Sequence, residues 1–201
     1  MNYASWIFVG VAVTFASSWL GLVFFPDVQL GRLQAQVDEV SGDVNPPPFT
    51  GAQLAGRAVY VREGCTYCHS QQVRHGDWNA DLLRGWGTRP SHPRDYIRDY
   101  PQLLGTMRTG PDLANIGVRQ PSVQWHLKHL WDPQTTSPGS VMPPYPWLFT
   151  RRPVIGQPSP DALQLDPPFA PEPGVEIVPT QEALDLVAYL LALKQDYEIV
   201  P

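Results

Sequence analysis

The stretch Gly64-Cys65-Thr66-Tyr67-Cys68-His69-Ser70 decides how this chain is read. Its two cysteines are the only two in the sequence. A disulfide between them would close a tiny loop and add little stability. Two thiols alone also cannot complete a Cys-rich zinc site. The C-x-x-C-H spacing suits another chemistry, in which both thiols add to the vinyl groups of a haem and the following histidine reaches the iron. A thioredoxin-like C-x-x-C is the rival reading, but that motif belongs to a βαβ pattern. Here it follows a helical segment that lies behind a long apolar one.

That apolar segment is the N-terminus. Residues 1–25, MNYASWIFVGVAVTFASSWLGLVFF, contain no Asp, Glu, Lys or Arg. From Tyr3 to Phe25 a helix would run roughly 34 Å at the α-helical rise, enough for the ~30 Å hydrocarbon core of a bilayer. Tyr3, Trp6 and Trp19 are residues suited to membrane interfaces. A cleaved signal peptide would carry a basic start and a shorter apolar core, so residues 1–26 read as a retained transmembrane anchor. Charge sets its direction poorly: Arg32 beyond the span mildly opposes an outward-facing C-terminal part. The cytochrome resemblance of the globular part implies covalent haem attachment on the outer face of a bacterial membrane, so the bulk of the chain is expected on the periplasmic or outer side of the inner membrane.

Working outward, residues 27–49 form an extension and a Pro-rich linker; its QLGRLQAQVDEV stretch either prolongs the helix or lies along the surface. It ends in the stiff Asn45-Pro46-Pro47-Pro48-Phe49 spacer. Residues 50–201 form the globular domain. Thr50 is a natural cap for a helix carrying Leu54, Ala55, Ala58 and Val59 at helical spacing. Ser122 caps a short helix that stops at Asp132-Pro133. Thr180 caps the clearest soluble helix, with Leu184, Val187, Ala188 and Leu191 at i, i+3, i+4, i+7. The chain has 23 prolines, and residues 70–108 and 150–179 show no periodicity, so both read as irregular. The fold class is mainly α with long Pro-rich loops. The net charge of −5 gives no support to a nucleic-acid partner.

A haem iron held by His69 needs a sixth ligand. Of the three methionines, Met1 belongs to the anchor. Met142 lies in Ser140-Val141-Met142-Pro143-Pro144-Tyr145-Pro146-Trp147, where two prolines fix the backbone behind it. Met107 sits beside Leu103 and Leu104 and reads as packing, with a ligand role as the alternative. The Thr109-Gly110-Pro111-Asp112-Leu113 turn can present the Pro111 carbonyl to the other ring nitrogen of His69. Arg108, Tyr145 and Trp147 flank these loops and are candidates for haem propionate contacts. His126 and His129 share a helix face and read as packing near the haem rather than as a metal pair. His75 and His92 read as solvated or hydrogen-bonded. No Ser-His-Asp set or carboxylate pair suggests catalysis by the chain alone.

These segments together resemble a class I cytochrome c domain from about Thr50 to Lys194, carried by GCTYCHS, TGPDLANIG and MPPYPWL. The closing helix ALDLVAYLLALK is similar to that family's last helix, expected to cross the first at Gly56 and Tyr60 against Tyr189. In order, YVREGCTYCHSQQVR, RTGPDLANIG, WHLKHLWDP and MPPYPWL resemble the mono-haem subunit of cbb-type cytochrome c oxidases, the CcoO/FixO family. The resemblance implies one covalent haem c on Cys65 and Cys68, axial ligands His69 and Met142, and Pro111 orienting the histidine. It implies electron relay from a donor, either a further cytochrome c subunit or a soluble one, to an integral haem–copper catalytic subunit. A mono-haem subunit of a nitric oxide reductase and a free-standing anchored shuttle are the alternatives. Residues 75–99 and the Pro-rich 151–174 stretch depart from the usual members, so the partner-facing surface can differ.

Overall fold

The computed structural model describes residues 3–76 and 80–199. Helix α1 runs Ala4–Leu30, with one π-helical turn at Leu20–Phe24. None of its residues is buried by the rest of the chain. It is the one helix, among the described residues, long and apolar enough to cross a membrane. An uncovered apolar helix of this length is stable only where something other than water surrounds it. Beyond Leu30 the chain leaves the helix and turns back as a small hairpin, β1 (Gln36–Val37) against β2 (Val44–Asn45).

Helix α2 (Gly51–Arg62) starts on the expected cap, extended to a full capping box. Thr50 Oγ1 accepts from the Gln53 N–H at 3.3 Å, and Gln53 Oε1 accepts from the Thr50 N–H at 2.8 Å. Short helix α3 (Ile116–Arg119) and α4 (Val123–Trp131) follow, the latter capped by Ser122. Helix α5 (Gln181–Ala192) is capped by Thr180. α2 and α5 cross and pack. Gly56 lies against the α5 backbone so closely that an added Cβ would sit 1.8 Å from the Asp185 carbonyl oxygen. Tyr60 and Tyr189 meet edge-on, with ring centroids 5.4 Å apart, and Phe49 closes on Tyr189 from the linker side. Aromatic pairs of this kind add ~1 kcal/mol to their area burial. Around them Val59, Leu127, Leu130, Leu148, Leu186 and Val187 make one continuous core.

Two stretches read as irregular turn out to be organised. The 150–179 stretch holds most of an antiparallel pair, β3 (Phe149–Pro153) and β4 (Val175–Pro179), in the register Phe149↔Pro179 to Pro153↔Val175. The pairing is invisible locally because β3 shows no alternation and the partners are joined by a long proline-rich excursion. Burial of Glu176, Ile177 and Val178 comes from tertiary cover: Leu163 donates to the Ile177 carbonyl at 2.9 Å. The 70–108 stretch has little regular structure, yet polar contacts fasten it. Arg89 makes a two-pronged ion pair with Asp95, and Tyr197 donates to the same carboxylate at 2.6 Å. Arg94 donates to the Gln36 side-chain oxygen at 2.8 Å, and the amide of Gln36 donates to the Glu198 carbonyl. The hairpin beyond the anchor, the 89–95 segment and the C-terminal tail are thereby stapled together. Leu30 and Leu33 share a cleft with Ile97 and Leu104.

Gly56→Val should lower the unfolding free energy by about 3 kcal/mol or more, because the clash is with backbone that cannot move aside. Denaturant unfolding of the full chain in detergent, followed by tryptophan fluorescence, measures this.

Candidate haem site

The site begins where α2 ends. Gly64 takes a left-handed conformation, φ 73°, that a residue with a Cβ rarely adopts. It turns the chain into a tight 3₁₀ turn, Cys65–Tyr67. The turn sets Cys65 half-buried against the core and leaves Cys68 exposed. The His69 N–H closes back on the Cys65 carbonyl at 2.9 Å. Burial, and then the charge of Glu63, push the Cys65 thiol up to about 12. A redox dithiol needs the opposite, an attacking cysteine with a lowered pKa. A half-buried sulfur against apolar neighbours suits a neutral thioether.

His69 is held from two sides. Its Nδ1 lies 2.8 Å from the Pro111 carbonyl oxygen; a carbonyl only accepts, so Nδ1 carries the proton and Nε2 keeps its lone pair for a metal. Gly110 lies on the face of the ring: a Cβ there would come 2.3 Å from Cε1. Burial holds the His69 pKa below the ordinary histidine value, against the opposing pull of the Pro111 carbonyl and Asp112. That direction favours the neutral imidazole that ligation requires.

Met142 is half-buried and packs on the same core cluster that Cys65 joins. Its loop is fixed by Ser140 Oγ accepting the Met142 N–H at 3.2 Å and by the Tyr145 N–H donating to the Leu130 carbonyl at 2.9 Å. Trp147 Nε1 donates to Glu63 at 3.0 Å, tying this loop to the end of α2 just before the Cys65 turn. Met107 is 59% exposed, with its sulfur facing Thr109 Oγ1 at 3.5 Å. Arg108 is engaged within the protein. Both oxygens of Asp81 accept from it, and it also donates to Ser70 Oγ and the Gln72 carbonyl. Tyr145 is half-buried beside the two cysteines.

His126 and His129 are satisfied within the protein. His126 Nε2 donates to the Gln120 carbonyl at 2.8 Å, and His129 Nδ1 pairs with Thr136 Oγ1 at 2.6 Å while its ring stacks on Trp125. Among the described residues no cluster of three or more His, Cys, Asp or Glu side chains could hold a separate metal. His92 accepts from the Arg94 N–H at 3.3 Å and caps a 3₁₀ turn, Pro93–Tyr96.

Residues 5–161 match the family described as cytochrome c oxidase, mono-heme subunit/FixO. The chain belongs to this family. The match begins inside α1, so the apolar helix is part of what the family model matches, and it ends before β4 and α5. No curated protein matches the chain. Membership makes this FixO-family chain a mono-haem subunit of cytochrome c oxidase, and one apolar N-terminal helix fits a single-pass membrane protein. Sequence reasoning picked out the motif residues but overlooked Ser70, Asp81 and Asp112. Ser70 and Asp112 sit directly beside His69 and Pro111 in the two motifs, a signal that was available. Asp81 lies in a stretch without pattern and had none.

The pKa of His129 is pulled down to about 4, by burial first and by the neighbouring His69 and His126 second. Its folded value lies below the ordinary 6.5, so the unfolded chain binds the extra proton. Stability from His129 is complete above about pH 6.5 and declines as pH falls toward 4. His129→Gln should flatten that part of the acid limb, as measured by thermal unfolding between pH 4 and 7.

Proposed function

We propose that the FixO-family chain carries one covalent haem c and relays single electrons toward the catalytic subunit of a cbb-type oxidase. The observation that carries the reading is the C-x-x-C-H turn with the Pro111 carbonyl set 2.8 Å from His69 Nδ1. That bond orients the ring and strengthens Nε2 as a ligand. The residues fit the group. The bare Gly110 leaves the face of the His69 ring clear where a Cβ would collide, and Cys65 is half-buried against the core, where a neutral thioether is favoured.

In this reading Cys65 and Cys68 bind the haem through their sulfurs. His69 supplies the proximal nitrogen and Met142 the distal thioether; Pro111 fixes the histidine. The haem supplies a one-electron iron couple, while the protein binds, orients and tunes it. A methionine ligand and burial both favour a raised reduction potential. The half-buried position of Met142, against the exposed Met107, supports this choice of ligand. The domain sits on the periplasmic side, the side on which covalent haem is attached in bacteria. The donor is a further cytochrome c subunit or a soluble cytochrome c. The domain limits are 1–26 for the anchor, 27–49 for the linker and 50–201 for the haem domain.

Cys65→Ala should leave the haem largely extractable by acidic organic solvent; unchanged covalent haem would reject the attachment residues. Met142→Ala should abolish the weak long-wavelength absorption of a methionine–iron bond. Survival of that band in Met142→Ala, with its loss in Met107→Ala, would reverse the ligand assignment. Mild-detergent purification of the tagged chain, followed by mass spectrometry, should recover a haem–copper oxidase subunit. Recovery of a nitric oxide reductase subunit, or of the chain alone, would favour the other two assignments.

A further inference from the structure

A charged network lies directly behind the proximal histidine. Asp112 is fully buried. Its Oδ2 accepts from Ser70 Oγ at 2.6 Å and from the Gln72 N–H at 2.7 Å, and its Oδ1 accepts from the Ala114 N–H at 2.8 Å. The Arg108 guanidinium lies 3.7 Å away. The groups that bond this carboxylate are all donors, with a guanidinium beside them, the surroundings that suit a buried negative charge.

The chain positions give the contacts their meaning. Ser70 directly follows His69, and Asp112 directly follows Pro111. The carboxylate therefore bridges the residue after the ligand to the residue after the carbonyl that orients it. Backbone bonds flank the bridge: Gly110 N–H to the Cys68 carbonyl at 2.9 Å, and Leu113 N–H to the Ser70 carbonyl at 2.8 Å. Arg108 is shared, with both ends of its fork also spent on Asp81, Ser70 and Gln72, and Arg119 donates to the Asp112 backbone carbonyl.

We propose that Asp112 is a positioning residue for the haem, holding the Pro111 carbonyl against His69 and lowering the reduction potential of the iron through its buried charge. The inference rests on the haem reading above. Ferric haem carries one more positive charge than ferrous haem, so a nearby buried anion favours the ferric form. Asp112→Asn keeps the shape and removes the charge, and the potential should rise. A site that had merely loosened would admit water, which also favours the ferric form and lowers the potential. The sign of the shift therefore separates tuning from simple damage. Ser70→Ala keeps the charge and removes one end of the bridge. It should speed solvent exchange of the His69 Nδ1 proton while moving the potential less than Asp112→Asn does.

The experiment is a redox titration of the full chain in detergent, on samples whose covalent haem has been quantified, together with NMR exchange of the His69 ring proton. A raised potential in haem-loaded Asp112→Asn is the expected result; an unmoved or lowered potential overturns the proposed tuning. Should that variant not accumulate, unchanged proton exchange in Ser70→Ala overturns the positioning role. Wild-type protein without covalent haem would sink the haem reading as well. Failure confined to the variants sinks this inference alone.

Discussion

The close crossing of α2 and α5 at Gly56 is the constraint on which the rest of this domain depends. It brings Tyr60 onto Tyr189 and fixes where α2 ends. Where α2 ends determines where Gly64 turns the chain and, through it, where both cysteines and His69 are presented. The opposite wall is built from the other end of α5. The Thr180 N–H and hydroxyl both donate to the Leu148 carbonyl at 2.9 Å, so the cap of the last helix also holds the base of the methionine loop. One helix pair thus positions both candidate axial ligands, although they lie far apart in the chain.

Much of this was legible in the sequence, for physical reasons that differ by element. The three capped helices announced themselves because Thr50, Ser122 and Thr180 each precede a periodic run and satisfy its first free N–H groups. The His69–Pro111 bond was legible because a Gly-Pro turn has few ways to aim a carbonyl. The β3–β4 pair was not legible, since its burial depends on Leu163 and on elements remote from either strand. The ordered wrapping of residues 80–99 was equally hidden. Ion pairs such as Arg89–Asp95 and Arg108–Asp81 carry no periodicity, and their partners are set only once the fold exists. Arg108 shows the same point: nothing local to its sequence indicates that its guanidinium faces two buried carboxylates.

The polar interior near His69 is unusual for so small a core. Asp81 and Asp112 are both buried, and each is surrounded by donors. Replacing such an ion pair with apolar residues is often neutral or stabilising, whereas breaking one partner leaves a costly unpaired charge. Their presence therefore argues for geometry over stability. Hydrogen bonds with fixed lengths and directions define the position of a backbone turn more sharply than packing does.

The staple through Gln36 has a consequence of its own. One amide side chain joins Arg94 of the wrapped segment to the Glu198 carbonyl of the tail, a few residues after α1 ends. A globular head on a slack tether samples a volume, and each productive meeting with a neighbour costs rotational entropy. Here the segment that follows α1 is tied to the domain by its own side-chain contacts, so part of that ordering is completed during folding.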